Sequence, residues 1–315
     1  MLDNPSIQHD TAVFSSYKLF LGLSRTPHAL LDMSTPALGA LLWLGDFPPI
    51  KIILLGLMTV MAGYTAVYAL NDVIDYQVDR EKVLRDGFPE TEYDLDAVWI
   101  RHPIAHGLLS FKQGIFWTTG WMMVALTGAF LLRPVCVLIF LAGCGLEIAY
   151  CLLLKITCLR AFVSGGVKAS GAVAAVFAVD PNPSLLFILV MFLWLFCWEI
   201  GGQNIPNDWS DVEQDRHLMA KTIPVRLGPQ RSIEMILIFL TLTLVFHVGL
   251  FYITRTFFTF YYVLASLAAG LFLFMVPALR LNTTKARAQA IALFNRSSYY
   301  PLTLLVLTVV KIITR

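Results

Sequence analysis

Long apolar runs joined by short polar connections make up most of this chain. A helix needs about 20 mainly apolar residues to cross roughly 30 Å of bilayer hydrocarbon, and about nine runs approach or reach that length. The pattern predicts an all-α membrane protein with about nine transmembrane helices. The predicted spans lie near residues 29–47, 51–70, 113–132, 134–154, 161–180, 184–203, 233–253, 258–279 and 298–312.

The first and last of these runs are the least regular. The first contains Asp32 and Pro36, and the last is short and follows a polar stretch at 295–298. Composition supports the membrane interpretation, because 57% of the 315 residues are hydrophobic and only 14% are charged. The formal net charge of +2 is too small to indicate a nucleic-acid partner. We therefore expect membrane lipid, and no nucleic acid, around this protein.

Two connections are much longer and more polar than the others, at 71–112 and 204–231. Most of the 23 Lys and Arg residues lie in these two loops and in other connections on the same predicted side. Since cytoplasmic loops hold the excess of basic residues, that side is predicted to be cytoplasmic. We expect a cytoplasmic N-terminal segment, 1–28, followed by one transmembrane domain, 29–315, with the two long loops as a cytoplasmic cap.

The two long loops contain the same motif, and every Asn, Asp and Arg of the motif recurs at an offset of 136 residues. Each copy follows an apolar span, the second and the sixth, which predicts two related four-helix units plus a ninth helix. The first copy reads Asn71-Asp72-Val73-Ile74-Asp75-Tyr76-Gln77-Val78-Asp79-Arg80. The second reads Asn207-Asp208-Trp209-Ser210-Asp211-Val212-Glu213-Gln214-Asp215-Arg216.

The acidic residues of each copy are spaced to share one face of a helix. Positions i, i+1, i+4 and i+8 fall within an arc of about 100° on a continuous helix. Carboxylates crowded in this way beside a bilayer repel one another unless a cation compensates them. Mg²⁺, held by carboxylates, waters and phosphate oxygens, is the natural compensation, and two facing sites suit a diphosphate.

This paired motif resembles the UbiA superfamily of intramembrane prenyltransferases, whose members have Asp-rich motifs after the second and sixth of nine transmembrane helices. The segment Thr222-Ile223-Pro224-Val225-Arg226-Leu227-Gly228 is similar to the one that follows the second motif in many members. Many members have Arg-Pro-Ile-Pro-Ser-Gly after the first motif, whereas this chain has Arg101 and then His102-Pro103-Ile104-Ala105-His106-Gly107. The resemblance therefore does not identify the acceptor.

The resemblance implies Mg²⁺ as cofactor and an isoprenoid diphosphate as donor, bound through the Asn and Asp residues of both motifs. It also implies a diphosphate contact for Lys155, since Tyr150 and Lys155 resemble a Tyr/Lys element of the family. The implied metal ligands are Asn71, Asp72, Asp75, Asp79, Asn207, Asp208, Asp211 and Asp215.

Other polar residues are candidates by position alone. Glu199 lies one or two turns before the second motif and suits a supporting or acceptor-deprotonating role, and Asn204 extends the polar face of that motif. For Glu147 and Lys168, both inside spans, an ion pair that fixes helix packing and a catalytic role are equally open. The cationic candidates for substrate binding are Arg25, Arg80, Arg216, Lys221 and Arg226.

The sequence thus predicts an Mg²⁺-dependent transferase of prenyl groups to an aromatic or lipid acceptor. Two alternatives use the same motifs: a terpene cyclase that consumes no second substrate, and a transferase acting on a prenyl phosphate and a sugar. A secondary transporter fits less well, because both acidic clusters lie at one membrane face and not at the midplane. Acceptor identity, donor chain length and oligomeric state stay open.

Overall fold

The computed structural model describes residues 16–86, 95–255 and 258–314. Within these ranges the regular structure is entirely helical, as the sequence predicts. Residues 1–15 of the predicted N-terminal segment lie outside the described residues. In chain order the α-helices are α1 Ser16–Leu23, α2 Thr26–Asp32, α3 Ser34–Leu44, α4 Ile50–Ile74, α5 Tyr76–Asp86, α6 Phe111–Leu132, α7 Pro134–Leu152, α8 Arg160–Val179, α9 Leu185–Trp198, α10 Ile205–Ser210, α11 Val212–His217, α12 Ile223–Ile253, α13 Phe260–Gly270, α14 Val276–Thr284, α15 Arg287–Ser298 and α16 Tyr300–Ile313.

Seven helical segments of the described chain are long and apolar enough to cross a membrane. Two of them contain a π-helical turn, Glu199–Asn204 between α9 and α10 and Leu271–Met275 between α13 and α14. The seven segments are Ile50–Ile74, Phe111–Leu132, Pro134–Leu152, Arg160–Val179, Leu185–Ser210, Ile223–Ile253 and Phe260–Thr284. The predicted count of nine is therefore not confirmed.

Neither of the two remaining predicted spans forms one long continuous helix. The first, 29–47, is divided into α2 and α3. At that division the Ser34 and Thr35 hydroxyls donate to the carbonyl oxygens of Leu31 and Asp32, and such local bonds compete with regular helix bonding. The last, 298–312, corresponds to α16, a helix of 14 residues that begins next to Pro301 and is preceded by α15.

Each acidic motif bends at its third polar residue, so the prediction of one continuous motif helix is wrong. Helix α4 ends at Ile74 and α5 begins at Tyr76, with Asp75 at φ −84° and ψ 2°. In the second copy Asp211 lies between α10 and α11 at φ −105° and ψ 10°. Both residues occupy the sparsely populated bridge region of backbone space. The repeat is thus a repeat of backbone geometry as well as of residue type.

The hydrophobic core lies around α8, α9 and α12. The largest fully buried side chains on α9 are Phe187, Met191, Trp194 and Trp198. The two long loops meet at one end of this core. Their contact includes a hydrogen bond of 3.1 Å from the Arg85 guanidinium to the carbonyl oxygen of His217. Packing of the membrane helices therefore places the two motif segments side by side at one end of the bundle.

The π-helical turn that precedes the second motif is packed directly against α12. A Cβ at Gly201 would lie 2.9 Å from the Phe239 Cβ, and 3.1 Å from both the Ile236 carbonyl oxygen and the Leu240 amide nitrogen. These neighbours are mainly backbone atoms and cannot move aside as a flexible side chain would. Glycine therefore permits the close approach that positions Glu199 and Asn204.

We expect Gly201→Ala to lower the free energy of unfolding by about 1–3 kcal/mol, because the added methyl group overpacks this contact. Thermal unfolding of the protein in lipid nanodiscs measures the change. Gly145→Ala is the matched control, since a Cβ at Gly145 meets no atom within 4 Å. Equal melting temperatures for the two variants would contradict the close-packing argument.

Candidate active site

The first motif is buried where α4 meets α5. The Asn71 amide donates to the Glu147 carboxylate over 2.7 Å and accepts from Arg25 over 3.2 Å. Asp72 is 2% exposed and lies 3.6 Å from the Arg25 guanidinium. Arg25, in the turn between α1 and α2, therefore joins the N-terminal helices to the motif.

His102 lies between two carboxylates of the first motif. Its Nδ1 is 3.0 Å from Asp72 Oδ1 and 2.8 Å from Asp79 Oδ2. Burial disfavours a charged imidazole, but these two carboxylates outweigh burial and raise the pKa of His102 to about 9. In return, although burial opposes it, His102 holds the pKa of Asp79 below its usual range. With no cation bound, His102 is therefore protonated at neutral pH.

The second motif is buried to a similar degree. Asp208 is 5% exposed and Asp215 is 2% exposed, whereas Asp211 is partly buried and accepts from the Ser210 hydroxyl over 3.1 Å. Just before the motif, the Asn204 amide donates to the Tyr150 hydroxyl over 3.1 Å. The second motif is thereby fixed to the end of α7.

Two basic residues lie between the motifs. Lys82 of α5 is 3.5 Å from Asp215 of α11, so a helix of the first motif pairs with the second motif. Burial lowers the pKa of Lys82, but Asp215, Asp211 and Asp79 outweigh it and hold the pKa above its usual value. Arg160, at the start of α8, is 3.9 Å from Asp208 and lies over the Tyr150 ring at 3.9 Å. The two motifs therefore face a common space.

That space has an excess of negative charge. The motifs have six carboxylates, and the contacts above pair four basic groups, Arg25, Lys82, His102 and Arg160, with four of them. Burial raises the pKa of Asp75 and of Asp215, and a neighbouring carboxylate raises each further. Among the described residues, the buried Oδ2 atoms of Asp72 and Asp208 accept no hydrogen bond. Oxygen donors with this deficit of positive charge fit a divalent cation such as Mg²⁺.

A polar cavity of about 120 Å³ lies beside the motifs, and Asn71 and Asn207 are both in its wall. Lys168 in this wall is 2.6 Å from Asp32 and 3.6 Å from Glu199. The Ser164 hydroxyl donates to the other oxygen of Glu199 over 2.6 Å. Lys168 therefore pairs with acids on α2 and in the π-helical turn. Glu147, in contrast, bonds to Asn71.

An apolar cavity of about 400 Å³ adjoins the polar one. Tyr64, Val67 and Val167 line both. From this shared wall the apolar cavity extends along α4 to Gly56 and Ile52. Twelve residues of helix from Tyr64 to Ile52 correspond to about 18 Å. A polar site thus opens into a long apolar one.

Comparison with known protein families identifies the family of this chain. The model of the UbiA prenyltransferase family matches residues 33–299 of the chain. This chain belongs to the UbiA prenyltransferase family. It is accordingly an integral, multi-pass membrane protein.

Solved structures similar to this UbiA-family chain share its fold. A UbiA homologue from Aeropyrum pernix K1, in its apo form, has a TM-score of 0.68 and 18% identity, covering 91% of this chain and 97% of that one. A UbiA homologue from Archaeoglobus fulgidus, solved with GPP and Mg²⁺, has a TM-score of 0.66 and 15% identity, covering 92% and 99%. A digeranylgeranylglyceryl phosphate synthase has a TM-score of 0.67 and 16% identity, covering 95% and 99%. No curated protein sequence matches the chain.

The other site residues predicted for this UbiA-family protein lie around the rim. Lys155 is exposed and pairs with Glu81 at 3.5 Å. Arg80 donates to the Tyr76 hydroxyl and Arg216 to Glu213, and both guanidinium groups are at exposed positions. The Lys221 amide donates to the Leu154 carbonyl oxygen, and Arg226 is exposed. The structure therefore separates these five basic residues from the buried pairs between the motifs.

Sequence reasoning missed three residues of the site. The sequence pattern presents Lys82 and Arg160 only as basic residues of the loops and His102 only as part of a segment. Each of the three nevertheless contacts a motif carboxylate. The spacing of His102 from the motif contains no periodic signal, because a loop connects them. The one available signal was that a basic residue beside an acidic motif is a candidate partner.

We expect Lys168→Met to destabilise the protein by about 3–5 kcal/mol, because Asp32 and Glu199 would be left buried without their cation. The double variant Asp32→Asn with Lys168→Met should recover part of the loss. Lys155→Met is the control, since its exposed pair with Glu81 contributes at most about 1 kcal/mol. Thermal unfolding in nanodiscs gives the melting temperature of each variant. Equal melting temperatures for Lys168→Met and Lys155→Met would refute the interpretation of Lys168, Asp32 and Glu199 as a buried ion-pair network.

Proposed function

We propose that this protein is an Mg²⁺-dependent intramembrane prenyltransferase that moves a prenyl group from an isoprenoid diphosphate to an acceptor and releases diphosphate. The observation that supports this best is the convergence of two acidic motifs on one space, with Lys82 and Arg160 between them. Family membership supports the reaction class, and the Archaeoglobus homologue solved with GPP and Mg²⁺ supports the donor type.

In this proposal the Asn and Asp residues of the two motifs would hold Mg²⁺, which when bound would supply positive charge to offset that of the leaving diphosphate. Arg160 and Lys82 would contact oxygens of the diphosphate after giving up part of their pairing with Asp208 and Asp215. The proposed metal ligands are Asn71, Asp72, Asp75, Asp79, Asn207, Asp208, Asp211 and Asp215.

Residues at the edge of the site orient these groups. The Tyr150 hydroxyl accepts from Asn204 and its ring lies against Arg160, so Tyr150 fixes two substrate-facing side chains at once. Arg25 contacts Asn71 and Asp72 and lines the polar cavity, which suits either the donor phosphate or an acidic acceptor. We assign Lys155 to the diphosphate from the rim, together with Arg80, Arg216, Lys221 and Arg226 as outer cations.

The apolar cavity is the proposed site for the prenyl chain. It begins at Tyr64, where the polar cavity ends, so a diphosphate at the motifs can direct its hydrocarbon into it. Aromatic faces stabilise positive charge, and the stacked rings of Tyr64 and Tyr68 lie where the allylic carbon would develop it. The apolar walls also keep water away from the cation.

The polar cavity is the proposed acceptor site, with Glu199 as the proton acceptor. The acceptor nucleophile forms a bond to the allylic carbon, diphosphate leaves with the electron pair of the broken bond, and the acceptor loses one proton. Glu199 Oε2 is buried, accepts no hydrogen bond within the described structure and faces Lys168 at 3.6 Å. It is thus available to take that proton.

We expect Asp75→Ala and Asp211→Ala each to reduce turnover at least about a hundredfold, because each removes an oxygen donor from the diphosphate site. The assay measures diphosphate release by protein in nanodiscs with radiolabelled geranyl, farnesyl and geranylgeranyl diphosphates, with and without Mg²⁺. Asp46→Ala, at an exposed position after α3, is the control and should keep full activity. Wild-type turnover in either motif variant would disprove the mechanism.

The same assay distinguishes the alternative enzymes. A pooled membrane-lipid and aromatic-acid extract supplies acceptors. Label in a larger product supports the transferase. A hydrocarbon formed without any acceptor would identify a cyclase instead.

We expect Gly56→Trp to shift donor preference toward shorter prenyl chains, because Gly56 lines the apolar cavity and open space surrounds the position of its Cβ. The ratio of kcat/KM for geranylgeranyl to that for geranyl diphosphate should fall at least about tenfold. Gly120→Trp is the control, since Gly120 also has open space around it but lies outside both cavities. An unchanged ratio would exclude this cavity as the prenyl site.

A further inference from the structure

His102 has a backbone conformation that few residues other than glycine adopt. Its φ is 54°, in the left-handed region, where a residue other than glycine is uncommon. The loop holds this conformation, because the His102 carbonyl oxygen accepts from the His106 amide and the Pro103 carbonyl oxygen accepts from the amides of Leu108 and Leu109. Such strain is typical of positions that are held for a function.

The strained residue places its imidazole against the first motif. His102 is 7% exposed, and its Nδ1 lies 3.0 Å from Asp72 Oδ1 and 2.8 Å from Asp79 Oδ2. A single ring N–H has one hydrogen and cannot point at both oxygens in line. Neighbouring ligand atoms of an octahedral ion with bonds of about 2.1 Å are about 3 Å apart, which is the spacing seen here.

The two carboxylates are also suited to an ion by their burial. Asp72 and Asp79 are 2% and 6% exposed, and the buried Oδ2 of Asp72 accepts no hydrogen bond within the described chain. One ligand atom from each of Asp72, Asp79 and His102 lies within 4.8 Å of the other two. The group therefore offers one nitrogen and two oxygens to a common point.

We propose that His102 Nδ1 is a direct ligand of the divalent cation at the first motif, together with Asp72 and Asp79, and that this nitrogen makes the site prefer Mn²⁺ to Mg²⁺. The proposal rests on the cation site of the proposed function. Mn²⁺ binds carboxylate oxygens as Mg²⁺ does, but as a first-row transition-metal ion it also accepts an imidazole nitrogen more readily than Mg²⁺, which favours oxygen ligands. The ion displaces the proton from Nδ1, and Nε2 keeps its own.

Pulsed electron paramagnetic resonance of bound Mn²⁺ tests the contact without any turnover. Full-length protein in nanodiscs is loaded with one equivalent of Mn²⁺, and we expect a ¹⁴N coupling of a directly bound imidazole nitrogen. Labelling only histidine with ¹⁵N should convert this coupling to the ¹⁵N pattern. Absence of a nitrogen coupling in Mn²⁺-loaded wild-type protein would overturn the proposal.

His102→Asn is the decisive variant, because asparagine tolerates positive φ and offers no ring nitrogen. We expect the coupling to disappear and the Mn²⁺ Kd to rise at least about tenfold, with a smaller rise for Mg²⁺ measured by competition. His106→Asn is the matched control in the same loop, since His106 is exposed and should leave both quantities unchanged.

The outcomes separate this inference from the proposed function. A persistent coupling in His102→Asn, or equal losses of Mn²⁺ and Mg²⁺ affinity, would overturn the role of His102 while leaving diphosphate release by the wild-type protein intact. The opposite outcome combines loss of the coupling in His102→Asn with a wild-type protein that releases no diphosphate from any donor. That result would support His102 as a metal ligand and refute the transferase.

Discussion

The crowding of six carboxylates, four of them buried, at one end of a bundle of membrane helices is the constraint on which the rest of the site depends. Carboxylates near a low-dielectric region repel one another and lose hydration, so each requires a positive partner. The partners come from separate parts of the chain: the turn before α2, helix α5, the loop before α6 and the start of α8. Charge compensation therefore joins segments that apolar packing alone would not position.

The similar bends at Asp75 and Asp211 show how the chain accommodates this constraint. Each bend separates the first half of a motif from the short helix, α5 or α11, that holds its second half. Across the two copies, Lys82 of α5 lies 3.5 Å from Asp215 of α11, so the repeated sequence forms two surfaces in direct contact.

Below the acidic end, the interior is divided by polarity. The buried pair of Lys168 with Asp32, with Glu199 close by, maintains a polar space within otherwise apolar helices. Directly beyond Tyr64 the walls become apolar. This division suits a substrate with a charged head and a hydrocarbon tail, because each part is bound by surroundings of its own polarity. Small residues such as Gly56 leave room for the tail where larger ones would fill the space.

The membrane environment, the helical class and the position of the two acidic motifs at one face follow from the sequence, since hydropathy and spacing are local properties. The resemblance to the UbiA family, which the two motifs indicated, is confirmed by the family match over residues 33–299. Other features emerge only in the folded protein: the division of the first span, the shortness of the last helix, the bends within the motifs and the partners His102, Lys82 and Arg160. Those features depend on loop paths and helix packing, which bring together residues far apart in the chain and leave no periodic trace along it.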